Sequence, residues 1–324
     1  MEIALQILLL IVGFALLIKG ADWLVDGASS VASHLKVSKL LVGLTIVAFG
    51  TGAPELAVSF SSLINGSTDI LVGNVIGSNI INVLLLIGIA AVILPIKIKK
   101  DTVSKELPLL LLISSALIVL LLDTNLTEAV TNTFSRADAI ICLLFFGIFL
   151  YYLISMARKN KKDLNVVEKP KYKLGKSIIF IILGLAGIVG GSQLVVNSAS
   201  FIAGAVGISE RIISLTIVAL GTSLPELVTT ITAARKGESD LLVGNIVGSN
   251  IFNICIVLAL PIAITGGISP SNFEMLDLIM LVFSAFLLCI LARKDHMITR
   301  AEGILMLVIF TIYYGYIVYG ALAA

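Results

Sequence analysis

The 324-residue chain is poor in charge: only 13% of its residues are Asp, Glu, Lys or Arg, while 58% are hydrophobic. A soluble globular domain carries about 25% charged residues, so a soluble fold is excluded. Histidine is nearly absent. His34 and His296 both fall near expected helix ends, which argues against a Ser-His-Asp triad or a histidine metal site. The three cysteines, Cys142, Cys255 and Cys289, lie in apolar runs without CxxC spacing. They read as small core side chains rather than a redox or zinc motif. Short alternating segments, the mark of a membrane β-barrel, are missing too. No nucleophile–base pair or H-E-x-x-H motif is present, so an intramembrane enzyme lacks its machinery.

What is there is a succession of apolar runs long enough to cross a bilayer, which takes about 20 residues as helix. Ten spans are expected, at 3–32, 39–64, 69–95, 106–123, 136–157, 175–204, 210–234, 240–265, 275–293 and 298–321. The fold class is all-α and polytopic. The N-terminus lacks a basic leader and a small-residue cleavage site, so it reads as a retained first span rather than a signal peptide. The first and sixth spans exceed the bilayer and are expected to tilt or to extend past it.

Orientation follows from lysine and arginine. With both termini outside, nineteen of the 22 basic residues fall on the inner side, eight of them between Arg158 and Lys176. Only Arg136 and Arg211 fall outside, with Lys19 inside the first span. The segment 158–174 is basic and without apolar periodicity. It is expected to be a solvated linker beside anionic lipid headgroups, between units at 1–157 and 175–324.

The chain also repeats itself. "LTIVAFGTGAPEL" (Leu44–Leu56) returns as "LTIVALGTSLPEL" (Leu215–Leu227), and "DILVGNVIGSNIIN" (Asp69–Asn82) as "DLLVGNIVGSNIFN" (Asp240–Asn253). With a constant offset of 171, 21 of the 40 positions from Leu44 to Val83 are identical without a gap. Five spans separate the copies. An odd number makes the second copy enter the membrane from the opposite side, an inverted-topology repeat of five helices each. That architecture is common among secondary transporters, whose sites lie near mid-membrane where interrupted helices meet.

Each copy carries a proline directly before a glutamate: Pro54–Glu55 and Pro225–Glu226. Proline has no N–H and crowds the carbonyl four residues back, so it breaks the helix and frees backbone oxygens. A carboxylate at mid-membrane costs roughly 2.5–3.5 kcal/mol on insertion scales. Two such defects side by side, twice, make sense as one device that aims oxygens at a cation. Thr51 stands one turn before Glu55, and Thr222 one turn before Glu226, with Ser223 beside it. Asn74, Ser78 and Asn82 form an i, i+4, i+8 stripe, repeated by Asn245, Ser249 and Asn253. Hard oxygens suit Ca²⁺, Na⁺ or Mg²⁺ rather than softer metals. A lone serine or asparagine in a membrane helix is more often interhelical glue, and the GxxxG pairs Gly73/Gly77 and Gly244/Gly248 read as close-packing faces. Asp22 and Asp26 have Gln193 and Asn197 in the second copy and read as boundary charge.

GTGAPE with GNVIGSNIIN, and GTSLPE with GNIVGSNIFN, resemble the two repeats of the calcium/cation antiporter superfamily, above all its sodium/calcium exchangers and their small prokaryotic members. The resemblance implies ten helices in two inverted halves, with no cofactor and no obligatory protein partner or nucleic acid. It implies antiport of Ca²⁺ against Na⁺ across a plasma membrane by alternating access. Ligands carried over by motif position fall on Thr51, Glu55, Ser78 and Asn82, and on Thr222, Ser223, Glu226, Ser249 and Asn253. Backbone carbonyls of Ala48 and Ala219 would join them, and the first and sixth helices would slide as a gate. Two positions depart from the pattern. Gly52 stands where many members have serine, and Asn253 where sodium/calcium exchangers often have aspartate. Proton coupling and potassium dependence therefore remain open at this point.

Overall fold

A computed structural model describes residues 2–126, 131–163, 169–205, 219–269 and 275–323. The helices are α1 (Glu2–Leu35), α2 (Lys39–Thr51), α3 (Ala53–Ile64), α4 (Thr68–Ile93), α5 (Thr102–Leu121), α6 (Arg136–Asp163), α7 (Leu174–Ala205), α8 (Leu224–Arg235), α9 (Ser239–Thr265), α10 (Met275–Asp295) and α11 (Arg300–Ala323). Among the described residues eight helices are long and apolar enough to cross a membrane, nine if α2 and α3 count as one span bent by 43°. The expected seventh span, 210–234, lies partly outside the described residues. Its described part is a single turn at Ala219–Thr222 followed by α8. The fold is a helical, polytopic membrane protein. The first part of the basic segment expected as a linker, 158–163, is helix, since α6 runs on to Asp163.

Burial sorts the helices. In the apolar window of α9, 83% of residues are buried, and in α4 72%, against 17% in α1. The two helices that carry the Asn/Ser stripes are therefore the core, and α1, α6 and α11 present leucine, isoleucine and tyrosine outward. That surface matches lipid, which has no demand for polar groups.

α1 packs antiparallel along α7. A methyl added at Gly13 would meet the Gly191 carbonyl, at Gly20 the Gly184 carbonyl, and at Gly27 the Ser177 carbonyl, all within 3.0 Å. Small residues every second turn let two long helices touch backbone to backbone, the usual basis of helix association in lipid. α2 crosses α9 the same way: a Cβ at Gly244 would stand 2.5 Å from the Leu40 carbonyl oxygen, and one at Gly43 2.6 Å from that of Leu241. The expected close-packing role of Gly244 and Gly248 is thus met, whereas a Cβ at Gly73 or Gly77 meets no described atom within 4 Å.

The peripheral helices are set by local chemistry that occurs twice. α6 opens on a reciprocal cap in which Ser135 N–H and hydroxyl donate to Asp138 and the Asp138 N–H donates to Ser135. α11 opens on the same arrangement between Thr299 and Glu302. Such capping boxes satisfy N–H groups that a helix start leaves orphaned. Tyr152 of α6 donates to Glu106 of α5, and Tyr313 of α11 donates to Asp277 of α10 at 2.8 Å. At one end of the bundle Ile96–Lys97 pairs antiparallel with Met297–Ile298, and at the other Phe134 bridges Ile268.

The lysine-rich end is closed by ion pairs. Lys236, just past α8, lies 3.1 Å from Asp22 and 3.0 Å from Asp26 of α1. Lys171 reaches Asp26 at 2.7 Å, and this hydrogen bond raises the lysine's pKa above its ordinary value. Glu238 accepts from Lys39 and from the Ser29 hydroxyl. The boundary-charge reading of Asp22 and Asp26 fits these contacts.

Candidate functional site

The centre of the site is made by two helix breaks. α2 ends at Thr51 and α3 begins at Ala53, with Gly52 between them at φ −79°, ψ 1°. Ser223 sits at φ −87°, ψ 3° before α8. Pro54 and Pro225 occupy the first turn of α3 and α8, where a missing N–H is harmless and the fixed φ suits a helix start. Glu55 and Glu226 are in those same first turns. Each carboxylate is thereby held at the N-terminus of its own helix, whose positive dipole end favours negative charge.

Both glutamates are buried, at 1% and 2% exposed, and each leaves its Oε2 without a hydrogen-bond partner. They lie near enough for the charge of Glu226 to act on Glu55, and no described basic side chain pairs with either. Thr51, fully buried, joins the halves: its hydroxyl lies against Glu226 and 3.4 Å from Asn245 Oδ1. That hydroxyl also lies 3.1 Å from the Val47 carbonyl.

The stripes of α4 and α9 flank the carboxylates. Ser78, Asn82, Ser249 and Asn253 are all buried. Both asparagines sit in π-helical turns, Ile81–Ile87 and Asn253–Leu258, the wider helical turn that often marks functional sites. Asn82 Oδ1, Asn253 Oδ1, Ser249 Oγ and Ser223 Oγ have no hydrogen-bond partner. With the two Glu Oε2 atoms that makes six buried oxygens left open. An unsatisfied buried group costs about 1–3 kcal/mol, so open oxygens on both copies of the motif call for a ligand that offsets several such costs. The donor set is all oxygen with two carboxylates, which fits a hard cation.

The remaining expected residues fall as follows. Thr222 is half-buried beside Ser223. The Ala48 carbonyl accepts from the Gly52 N–H at 3.0 Å and lies 3.5 Å from the Thr51 hydroxyl, so it is shared rather than free. Ala219 opens the turn before Ser223, as Ala48 opens the last turn of α2. Asn245 is buried with its oxygen toward Thr51, and Asn74 is half-buried.

Three features were missed in sequence. Asn79 and Asn250 are both buried; Asn79 accepts from Asn253 and Asn250 from Asn82. Their signal was identity in both copies, but they stand one residue off the i, i+4 stripe and so escaped it. Ser59 and Thr230, one turn beyond the glutamates, are buried with unpartnered hydroxyls. Phe252 fills the space at Gly52: an added Cβ there would lie 3.0 Å from its ring. The ring stacks on Phe49 at 4.9 Å and meets Phe146.

A family model for the sodium/calcium exchanger protein matches residues 5–155 and 176–319. The chain belongs to the sodium/calcium exchanger family. The match spans both copies of the motif and leaves out only the basic segment between them and the two ends. Among relatives of this exchanger-family chain, the sodium/calcium exchanger MaX1 of Methanosarcina acetivorans is 32% identical over 346 residues, covering 95% of this chain and 97% of that one. The inner membrane protein YrbG of Escherichia coli (strain K12) is 37% identical over 308 residues, covering 92% of each. A solved structure of the sodium-calcium exchanger NCX_Mj superposes with a TM-score of 0.82 at 32% identity, covering 97% of this chain and 99% of that one.

Proposed function

We propose that this exchanger-family antiporter moves Ca²⁺ out of the cell against Na⁺ at a central site made by Glu55 and Glu226. The observation that carries the reading is the pair of buried, mutually close carboxylates, one from each copy of the motif, without a basic partner among the described residues. Their ligand shell is Thr51, Ser78, Asn82, Thr222, Ser223, Ser249 and Asn253, with the carbonyls of Ala48 and Ala219.

The halves are inverted repeats of five helices. Supporting this are the matched breaks, the paired caps of α6 and α11, and the Tyr–Glu and Tyr–Asp ties. Both termini lie outside and the lysine-rich end faces the cytoplasm, on the bias of basic residues. Two negative charges balance one Ca²⁺ or two Na⁺, so the ions compete for one pair of carboxylates. A filled site is neutral enough to be carried past the gate. An empty site, doubly negative and desolvated, resists that passage. Exchange follows instead of leak. Ser59 and Thr230 extend the polar line one turn from each glutamate, toward opposite ends of the bundle.

Purified protein in Ca²⁺-loaded proteoliposomes tests the coupling. An imposed Na⁺ gradient is expected to drive Ca²⁺ efflux with no K⁺ present, and a pH gradient alone to drive none. Efflux that follows the pH gradient without Na⁺ would replace this reading with proton/calcium antiport. Efflux that needs K⁺ beside Na⁺ would make the protein a potassium-dependent exchanger.

A further inference from the structure

We infer that Asn79 and Asn250 are positioning residues that fix which end of the Asn82 and Asn253 amides faces the ions. The inference rests on the cation site proposed above and adds to it how two neutral ligands are aimed.

A carboxamide has an acceptor end and a donor end of nearly equal shape. Toward a cation only the oxygen end serves, since the other turns N–H dipoles against positive charge. Nothing in Asn82 or Asn253 alone decides between the two. The decision comes from backbone carbonyls, which only accept. Asn79 Nδ2 donates to the Asn250 carbonyl at 3.2 Å, and Asn250 Nδ2 donates to the Asn79 carbonyl at 3.3 Å. These two bonds leave the Oδ1 atoms of Asn79 and Asn250 facing the other way, as acceptors. Asn253 Nδ2 then donates to Asn79 Oδ1 at 3.1 Å, and Asn82 Nδ2 to Asn250 Oδ1 at 2.9 Å. With their nitrogens committed, Asn82 and Asn253 are left with unpartnered Oδ1 atoms.

All four side chains are buried, at 1–2% exposed, so water offers no alternative partner. A reversed Asn82 would lose its bond and set oxygen against oxygen at Asn250. The chain of donors therefore has one consistent direction, set from fixed backbone at both ends. It also crosses between the halves. Asn79 of α4 aims Asn253 of α9, and Asn250 of α9 aims Asn82 of α4. Both helices must sit together for either ligand to be set.

The test uses whole purified protein in detergent, ⁴⁵Ca²⁺ equilibrium binding, and thermal melting as a check of folding. Loss of a partner that orients a metal ligand commonly costs 10–100-fold in affinity. Asn79→Ala and Asn250→Ala are each expected to weaken Ca²⁺ binding about tenfold or more. A carboxylate has no wrong end, so Asn82→Asp should make the site indifferent to Asn250→Ala, and Asn253→Asp indifferent to Asn79→Ala, with the residual loss under about threefold. The crossed combinations, Asn82→Asp with Asn79→Ala and Asn253→Asp with Asn250→Ala, should keep the full loss. A packing role would give no such pairing. Should an alanine variant fail to fold, Asn79→Ser or Asn250→Ser takes its place with the same expectation, serine being too short to span the gap.

Alanine variants that bind Ca²⁺ as the unaltered protein does would overturn the positioning role, as would aspartates that rescue both alanines alike or neither. Unaltered protein that binds no Ca²⁺ would overturn the cation site and this role with it.

Discussion

The two halves of the molecule agree at the centre and disagree around it. Thr51, Pro54, Glu55, Ser78, Asn79 and Asn82 have identical counterparts 171 residues on. Gly52 faces Phe252, whereas in the second half the corresponding residues are Ser223 and Ile81. The missing hydroxyl and the added ring belong together, because a serine at 52 would press on Phe252. At the lysine-rich end, Asp22 and Asp26 hold Lys236. Their counterparts Gln193 and Asn197 hydrogen-bond to each other at 2.8 Å, and Lys236 corresponds to the neutral Asn65. α1 packs along α8, while no comparable packing joins α7 to α3 among the described residues. The residues proposed to hold ions are duplicated; the packing and charge around them are not.

The strongest way to break the central agreement is to neutralise one glutamate. Glu55→Gln and Glu226→Gln are each expected to reduce Ca²⁺ flux in proteoliposomes more than 100-fold, about 2.8 kcal/mol or more at 1.4 kcal/mol per tenfold, with an unchanged elution profile. If one half dominated, the two losses would differ widely. Next in size is Gly244→Ala. Its Cβ has no room against the Leu40 carbonyl, so α2 must shift, and with it Thr51. Overpacking of this kind costs about 1–3 kcal/mol, read as a lower melting temperature together with reduced flux.

Gly52→Ser sharpens the contrast between the halves. Alone it should destabilise by about 1 kcal/mol, and adding Phe252→Ile should restore the melting temperature, since that pair copies the second half. Recovery without Phe252→Ile would separate the two positions. The smallest effect is expected for Lys236→Asn, again the other half's residue. Partly exposed ion pairs are worth about 0–1 kcal/mol, so melting should shift little. A shift of several kcal/mol would mean that these pairs, rather than the helix packing, hold that end together.

Much of this was legible in the residues. Spans declared themselves because lipid demands long apolar runs; 136–157, 175–204 and 240–265 match helices at Arg136–Arg158, Leu174–Ala205 and Ser239–Thr265 closely. The fourth began four residues earlier than expected, at Thr102, because a π-helical turn at Thr102–Glu106 extends the helix. Glu55 and Glu226 stood out because a charge inside a long apolar run has no bland reason to be there. Asn79 and Asn250 did not, because their role depends on a partner 171 residues away, and periodicity along one helix says nothing of which residue across the interface answers it. Phe252 escaped for the same reason: it looks like core until Gly52 is seen against its ring.

The account stands most directly on Ca²⁺ binding to the purified protein with Na⁺ as competitor, repeated with Glu55→Gln and with Glu226→Gln. It predicts that Na⁺ displaces Ca²⁺ fully from the unaltered protein and that either glutamine abolishes Ca²⁺ binding. Ca²⁺ that stays bound at saturating Na⁺, or binds undiminished with one glutamate neutralised, would contradict a single site shared by two carboxylates.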